Sequence, residues 1–371
     1  YDVVITAYSL LSRDRDLWLQ APWHLLVLDE AQNIKNANSH AAQVVTEIPA
    51  VHRLCLSGTP IENHLGELWS LFHFLMPGFL GSQKRFTELF RNPIERQGNT
   101  EKMAQLRARI TPFMLRRTKD LVASELPPKI ETLMPVPLEG QQADLYETIR
   151  LGMEKTVRDA LHSQGLAKSQ ITILDALLKL RQVCCDPRLL KLSAASQVRE
   201  SAKLTQLLDM LPEMVAEGRK ILLFSQFTEM LGLIEQALPA LGISWVKLTG
   251  QSKHRDAIID KFTSGQVPLF LISLKAGGVG LNLPQADTVI HYDPWWNPAV
   301  ENQATDRAHR IGQKQSVWVV KLVAQGTIEE RMLALQERKA QLAQDMYDGA
   351  VQRKEPLFGE SDLNELLKPL G

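Results

Sequence analysis

Residues 25–32 read Leu-Leu-Val-Leu-Asp-Glu-Ala-Gln, a short apolar run that ends in two acids. Near-continuous apolar runs of this length are typical of strands buried in parallel sheets. Because ligands collect at the carboxyl ends of such strands, Asp29 and Glu30 are predicted to lie where a ligand binds. One carboxylate of such a pair can hold Mg²⁺, and the other can orient or deprotonate an attacking water. A simple helix cap by Asp29 is the alternative that these residues alone leave open.

Similar apolar runs alternate with helical patterns along the 371 residues. The early runs form one group and the late runs another, with a long stretch of almost no strand signal between them. This arrangement predicts an α/β fold of two lobes with parallel sheets, joined through a helical insertion. The further predicted strands are Val3–Tyr8, Arg53–Gly58, Lys220–Phe227, Ser244–Thr249, Leu269–Ser273, Thr288–Asp293 and Val317–Val323.

Prolines and helical periodicity divide the chain further. The prolines of residues 126–129 and 135–137 are expected to break regular structure, so the linker between the lobes is placed there. The charged helical pattern that begins at Ile328 is expected to end in a loose C-terminus. The predicted segments are a partial first lobe with a helical extension (1–122), a linker (123–139), a helical insertion (140–200), a second lobe (201–327) and a helical tail (328–371).

Composition excludes several classes of protein. The formal net charge is zero and the pI is near 7.3, although a local basic channel is compatible with that balance. No apolar run reaches the roughly 18 residues that a membrane-spanning helix needs. The three cysteines form no Cys-x-x-Cys pair, which argues against a zinc ribbon or a disulfide framework. We therefore expect a protein that acts away from membranes, as a monomer.

A second polar segment, residues 303–313, carries two arginines three residues apart. On a helix, Arg307 and Arg310 would share one face, with Gln303 and Asp306 beside them. A guanidinium is permanently charged and forked, which suits it to a phosphate whose negative charge grows during transfer. A solvated helix of mixed charge is the alternative for an isolated Arg-x-x-Arg pattern.

Taken in order, these segments resemble the motifs of the Swi/Snf-type ATPases, the DNA-translocating and chromatin-remodelling branch of the superfamily-two helicases. Residues 29–32 resemble the Walker B, or DExx, motif of that family. The resemblance continues over nearly the whole chain, through the third motif (56–63), the fourth (221–227), the fifth (271–283), the Tyr-Asp-Pro-Trp-Trp-Asn-Pro element (292–298) and the sixth (303–313). Residues 116–119 and 180–187 fit the same family.

The resemblance implies two RecA-like lobes and a role for individual residues. Asp29 would bind Mg²⁺, Glu30 would be the catalytic base, and Gln32 would couple the nucleotide to the site. Arg307 and Arg310 would act as arginine fingers that face Glu30 across a shared cleft. The remaining implied residues are Gly278, Gly280, Asn282, Gln303 and Asp306 for the nucleotide, Ser57, Thr59 and Asn63 for coupling, and Ser225, Thr249, Lys275, Trp295 and Trp296 for nucleic acid.

Purely structural roles are the alternatives for several of these residues. Ser57 and its polar neighbours can simply cap a helix. The glycines of residues 277–280 can form an ordinary turn. Adjacent tryptophans such as Trp295 and Trp296 are more often buried in packing than exposed to nucleic acid.

The resemblance implies an ATP-dependent translocase that uses ATP and Mg²⁺ and grips double-stranded DNA by its backbone. The alternatives are an RNA-polymerase-associated remodelling ATPase and a non-hydrolysing DNA-binding or scaffold module. Besides DNA, the expected partner is RNA polymerase or another DNA-bound protein. The location would be the nucleoid of a bacterial cytoplasm or a eukaryotic nucleus.

The P-loop pattern Gly-x-x-x-x-Gly-Lys-[Ser/Thr] occurs nowhere in these residues, although such an enzyme needs it to hold phosphates. Two explanations stay open: the P-loop precedes Tyr1 in a longer protein, or the chain is a degenerate member that does not hydrolyse ATP. Either way, we expect little ATPase activity from this chain alone.

Overall fold

The computed structural model describes residues 2–58, 65–117, 126–277, 281–310, 312–337 and 360–371. These residues fall into two compact units. Unit 1 comprises the described residues up to Arg116, and unit 2 comprises those from Arg117 onward. The boundaries of the smaller predicted segments stay predictions.

Unit 1 is built on two parallel strands, β1 (Trp23–Leu28) and β2 (Ala50–Cys55), with Leu28 paired to Cys55. The polar residues Asp29 and Glu30 follow β1 directly, so the prediction that they stand at a strand's carboxyl end is confirmed. Ser39 caps the intervening helix by accepting a hydrogen bond from the N–H of Ala42. The helices are Arg15–Gln20, His40–Glu47, Leu65–Leu75, Gln83–Phe86, Asn92–Gln97 and Thr100–Ile110, with a π-helical turn at Thr87–Arg91.

The predicted strand Val3–Tyr8 is wrong. Residues 3–7 have no regular structure, and Tyr8–Leu10 is a 3₁₀ turn. Val3 is 76% exposed and Ile5 is 91% exposed. A β-branched run favours a strand only where a neighbouring strand can pair with it, and no described strand pairs with these residues.

Unit 2 contains a six-stranded parallel sheet in the order β3-β8-β7-β4-β6-β5. Every residue of the inner strands β4, β6 and β7 is buried, as expected of a parallel sheet covered on both faces. The predicted α/β class with parallel sheets is therefore confirmed. The strands are β3 (Lys129–Pro137), β4 (Ile221–Ser225), β5 (Trp245–Leu248), β6 (Leu269–Ser273), β7 (Thr288–His291) and β8 (Val317–Gln325).

Prolines were expected to break regular structure at residues 126–129 and 135–137, and that expectation is wrong for Lys129 and for residues 135–137, which belong to strand β3. The strand pairs with β8 from Lys129 to Pro137 and forms one edge of the sheet. Pro135 and Pro137 stand two residues apart, so the positions that lack an N–H lie on the same side of the strand. An edge strand has one side without a partner, where a missing donor costs nothing.

A helical hairpin, Gly140–Lys168 followed by Gln170–Cys185, packs beside the sheet. Gly165 breaks the first helix with a φ of 73°, which is a left-handed value that favours glycine. The hairpin lies within residues 140–200, the segment predicted to be a helical insertion. Cys184 and Cys185 are fully buried in this hairpin, and burial raises the pKa of both thiols. In unit 1, burial raises the pKa of Cys55 to about 12.

The expectation of a loose C-terminus is wrong for residues 360–371. Helix Glu360–Leu366 packs on the helical hairpin and on the helix that begins at Ile328, and Leu363 and Leu366 are each only 1% exposed. Arg150 of the hairpin donates to the carbonyl of Leu367 at 3.0 Å. Apolar residues in the last turns therefore outweigh the fraying that sequence position alone suggests. The further helices of unit 2 are Ser193–Ser196, Ala202–Ala216, Thr228–Ala237, Arg255–Thr263, Leu274–Gly277, Pro298–Thr305 and residues 328–337.

Across the described residues, no helix combines the length and apolarity that crossing a lipid bilayer requires.

Candidate active site

The acidic motif is held by backbone pairing that continues past the ends of β1 and β2. The N–H of Leu56 donates to the carbonyl of Leu28 at 2.8 Å, and the N–H of Ala31 donates to the carbonyl of Leu56 at 2.9 Å. Between them, Glu30 adopts a left-handed backbone with φ 48° and ψ 52°. A non-glycine residue in this region is uncommon, and such residues cluster at functional sites. The turn places the Glu30 side chain beside the segment that follows β2.

One side-chain hydrogen bond joins the third motif (56–63) to the Walker B motif (29–32), and a second lies within the Walker B motif. The Ser57 hydroxyl donates to Oε1 of Gln32 at 2.8 Å, and Nε2 of Gln32 donates to Oε2 of Glu30 at 2.5 Å. The hydroxyl of Ser57 thus orients the amide of Gln32, and this amide orients the carboxylate of Glu30. The structure brings together three of the predicted residues, which we call the Ser57–Gln32–Glu30 relay. The other predicted coupling residues, Thr59 and Asn63, lie outside the described residues.

Asp29 is exposed at the edge of this relay. Its Oδ1 accepts the N–H of Glu30 at 3.0 Å, and its carbonyl accepts the hydroxyl of Tyr8 at 2.6 Å. Sequence reasoning missed Tyr8, because its run was read as a strand; the available signal was a polar hydroxyl at the end of an apolar run. Burial, together with the negative charges of Asp29 and Glu30, raises the pKa of Tyr8 to about 12. Tyr8 therefore remains a hydrogen-bond donor at physiological pH.

The donor set fits a divalent cation that is held mainly by a bound phosphate. Asp29 offers a solvent-exposed carboxylate, the ligand type that Mg²⁺ prefers. The described residues contain no group of three or more His, Cys, Asp or Glu side chains that could hold a metal by themselves. Mg²⁺ at nucleotide sites typically uses one or two carboxylates together with substrate phosphates.

The arginine pair lies in unit 2, but not on a helix as predicted. Helix Pro298–Thr305 ends before Arg307, and the chain continues as a tight turn. The N–H groups of Arg307 and Ala308 donate to carbonyls three residues back, at 3.2 and 3.1 Å, and this tightening ends the α-helix. Both guanidinium groups nevertheless converge, because Nη1 of Arg307 and Nη1 of Arg310 donate to the carbonyl of Leu281 at 3.3 and 3.2 Å.

The nucleotide residues implied in unit 2 lie around this turn. Gln303 is half-buried on helix Pro298–Thr305, Asp306 directly follows that helix, and Asn282 is exposed next to Leu281. Gly278 and Gly280 lie outside the described residues. The carbonyl of Leu281 thus links the end of the fifth motif to the arginines of the sixth.

The residues predicted for nucleic acid differ in accessibility. Lys275 is exposed on helix Leu274–Gly277. Thr249 is only 9% exposed, and its hydroxyl accepts the N–H of Gln251 at 3.4 Å. Direct contact by Ser225 needs correction, because its side chain is fully buried and its hydroxyl donates to Oδ1 of Asp293 at 2.5 Å. The hydroxyl of Ser225 orders the end of β4 instead.

Trp295 and Trp296 are both half-buried, as the packing alternative anticipates. Their ring centroids lie 5.8 and 5.4 Å from the guanidinium carbon of Arg181, a residue of the helical hairpin. Contact of either ring with DNA stays a prediction.

Comparison with known proteins identifies the family to which the chain belongs. Residues 1–189 match the SNF2-related domain, and residues 202–312 match the helicase conserved C-terminal domain. The chain belongs to the SNF2-related family. Its two α/β units are accordingly the RecA-like lobes of an SNF2 ATPase core.

Individual relatives carry the same assignment. YwqA of Bacillus subtilis, named as an ATP-dependent helicase/translocase, is 39% identical over 92% of this chain and 37% of its own length. The mouse SWI/SNF-related matrix-associated actin-dependent regulator of chromatin subfamily A member 1 is 36% identical over 92% of this chain and 33% of its own. The SWI2/SNF2 ATPase core of Sulfolobus solfataricus, solved in complex with double-stranded DNA, is 37% identical with a TM-score of 0.50, covering 94% of this chain and 74% of that one. The chain spans about a third of the length of the curated relatives it matches.

Proposed function

We propose that this SNF2-related chain is part of an ATP-dependent translocase that moves along double-stranded DNA. The Ser57–Gln32–Glu30 relay carries the proposal, because it orients a carboxylate at a strand end through a residue of a different motif. A Glu30 that served only as a surface residue would not need a fixed orientation. A non-hydrolysing scaffold likewise has no chemical need for Glu30 or for the arginine pair.

The residues present fit ATP with Mg²⁺. Asp29 would hold Mg²⁺, which supplies charge neutralisation on the phosphates when bound. Glu30, oriented by Gln32, would position and deprotonate the attacking water. Arg307 and Arg310 would donate hydrogen bonds to the negative charge that grows during phosphoryl transfer. Leu281 holds both arginines by its carbonyl and thereby limits the entropy lost when they engage.

Double-stranded DNA is the proposed track, supported by the solved relative that carries it. A translocase grips phosphates and does not read bases, so its binding should be independent of sequence. Lys275, exposed on a short helix at the end of β6, is available for such a contact.

The test is binding of a fluorescent 30-base-pair duplex to this chain, with phosphate release measured in parallel. We expect sequence-independent binding that weakens by about a hundredfold or more between 50 and 200 mM salt, as several phosphate contacts require. Phosphate release should stay near background, because the sequence lacks a P-loop. Absence of duplex binding at low salt would remove the DNA proposal, and brisk turnover that Glu30→Gln leaves intact would remove the role of Glu30.

A further inference from the structure

Arg181 is a buried cation that none of the assigned roles uses. It lies near the end of helix Gln170–Cys185 and is only 6% exposed. Three aromatic rings surround its guanidinium: those of Trp296 at 5.4 Å, Trp295 at 5.8 Å and Phe227 at 5.9 Å between the guanidinium carbon and each ring centroid. These distances lie within the range of favourable cation–π contacts.

The same guanidinium joins the ends of two strands. Nη2 of Arg181 donates to Oε1 of Gln226, which follows β4. The backbone N–H of Gln226 donates to Oδ2 of Asp293, which follows β7, at 3.2 Å. Nε of Arg181 is buried without a hydrogen-bond partner among the described residues. The aromatic faces therefore provide much of the environment that holds the charge.

Arginine suits this cage better than lysine does. A guanidinium is planar and weakly hydrated, so it can lie against several rings, whereas an ammonium is compact and strongly hydrated. Burial lowers the pKa of Arg181, and the negative charge of Asp293 opposes that effect. An arginine side chain keeps its positive charge in proteins, so the rings face a cation.

The backbone of the tryptophan loop, residues 293–297, makes hydrogen bonds in addition to the contacts of its rings. The N–H of Trp295 donates to Oε2 of Glu301 at 3.3 Å, and Nε2 of Gln336 donates to the carbonyl of Trp295. Glu301 also pairs with Lys321 of β8 at 2.8 Å. These contacts and those that Arg181 makes to the two rings hold the same short loop, so loss of the Arg181 contacts should make the loop backbone open more often.

We propose that Arg181 is a positioning residue, which sets the orientation of Trp295 and Trp296 and so ties the tryptophan loop to the helical hairpin. A displacement of the hairpin would then be transmitted to the loop through this side chain, in addition to the packing of Trp296 on the hydrophobic cluster of the hairpin. The consequence for duplex binding rests on the proposed function, whereas the effect on the loop does not.

The first test is hydrogen exchange of the whole chain, measured by mass spectrometry for Arg181→Lys. Arg158→Lys is the matched control, because Arg158 lies on the same hairpin and its ion pair with Glu154 is at the surface. We expect exchange in peptides covering residues 292–300 to be at least about fivefold faster in Arg181→Lys than in wild type, with β4 amides unchanged. Equal exchange of that region in Arg181→Lys and the control would overturn the proposal.

A second variant separates positioning from general destabilisation. Trp296→Leu removes one ring and leaves Arg181 and the hairpin intact. If Arg181 acts through the rings, adding Arg181→Lys to Trp296→Leu should change exchange in residues 292–300 by clearly less than Arg181→Lys does alone. If the effects of the two substitutions on the exchange rate are fully additive, or if exchange also rises uniformly across β4 and β8, Arg181 has only a general structural role.

Binding of the DNA duplex tests whether the positioning role of Arg181 matters for function. We expect Arg181→Lys to weaken binding of the fluorescent duplex by about tenfold, while Arg158→Lys stays within about twofold. If wild type fails to bind while the exchange result holds, the proposed function fails and the positioning role stands. If wild type binds and Arg181→Lys binds equally well, the rings are not part of the DNA surface and the link to function is refuted.

Discussion

Replacing Lys203 by methionine tests the buried ion pair at the centre of unit 2. Lys203 is fully buried and Glu329 is 1% exposed. The Lys203 ammonium donates to both oxygens of Glu329 at 2.7 and 2.9 Å and to the carbonyl of Tyr292 at 2.6 Å. These contacts join the start of helix Ala202–Ala216, the end of β7 and the helix that begins at Ile328. Methionine preserves most of the side-chain volume and removes only the charge and its hydrogen bonds.

The expected loss is large because Glu329 would remain buried without its counter-charge. Removing one partner of a buried pair costs about 3–5 kcal/mol. The Tyr292 carbonyl also loses a donor, whereas the hydrogen bond from the Ala324 N–H to Glu329 at 2.7 Å survives. We therefore expect the free energy of unfolding of unit 2 to fall by about 4 kcal/mol at pH 7.5, a large part of the 5–15 kcal/mol typical of a domain.

The pH dependence of Lys203→Met follows from Glu329. Burial raises the pKa of Glu329, and the charge of Lys203 opposes that rise in the wild type. Without Lys203, the folded-state pKa of Glu329 should rise further above its unfolded value. A carboxyl with such a raised pKa costs no stability below its unfolded-state pKa, and the cost grows with pH until it is complete above the folded-state pKa. The deficit of the variant should therefore shrink as the pH falls from 8 towards 5. The folded-state pKa of Lys203 is itself raised, so its contribution in the wild type should stay constant below the ordinary lysine pKa.

Native-state hydrogen exchange of β4 amides in increasing urea measures this loss for unit 2 alone. The double variant Lys203→Met/Glu329→Gln is the control, because glutamine keeps an acceptor for the Ala324 N–H and removes the unpaired charge. It should recover at least about 2 kcal/mol relative to Lys203→Met. A deficit under about 1 kcal/mol in the single variant, or a double variant no more stable than the single one, would contradict the reasoning.

Three further predictions concern the relay, the arginines and the C-terminal helix. In an ATP-hydrolysing form of the protein, Gln32→Leu should lower kcat by about tenfold or more with little change in KM, because Glu30 loses its orienting donor; equal turnover in steady-state kinetics would refute the relay. In the same assay, Arg310→Lys should lower kcat by about a hundredfold or more, since lysine replaces the forked guanidinium with a point charge; Arg158→Lys is the matched control, and activity within threefold of wild type would exclude a finger role. Leu366→Asp should destabilise unit 2 by several kcal/mol because a charge would be buried, whereas Glu365→Asp at an exposed neighbouring position should stay within about 0.5 kcal/mol; a silent Leu366→Asp in urea unfolding would show that this helix does not contribute to the core.

The local pattern of apolar residues was sufficient to predict a strand where the segment is buried on both faces of the sheet. The run Leu269–Ser273 was predicted to the residue as β6, because every position in it is apolar or small and every one is buried. The acids after β1 were predicted from the apolar run Leu25–Leu28 that precedes them, although β1 itself is only partly buried, with Leu25 50% and Val27 43% exposed. Individual turns were less accessible to this reasoning, and Arg307 and Arg310 converge through a carbonyl of another motif rather than through helical spacing.

The missed features depend on contacts between residues distant in the chain. Strand β3 contains prolines, and only its position at the sheet edge makes them acceptable. Tyr8 reaches the carbonyl of Asp29 from the 3₁₀ turn Tyr8–Leu10, which lies 21 residues earlier in the chain. Arg181 is one polar residue in an amphipathic helix, and nothing local distinguishes it from a solvated arginine. Its three aromatic neighbours come from two other segments, which only the fold brings together.

The positions of the three thiols allow alkylation to report the partial unfolding of each unit. Cys55 belongs to unit 1, whereas Cys184 and Cys185 lie in the core of unit 2. Since only a thiolate reacts quickly with an alkylating reagent and burial suppresses all three thiolates, labelling should await opening of the surrounding structure. Alkylation that adds one label per molecule would then report the time at which unit 1 opens. Alkylation that adds two labels would report the opening of unit 2, without any engineered probe.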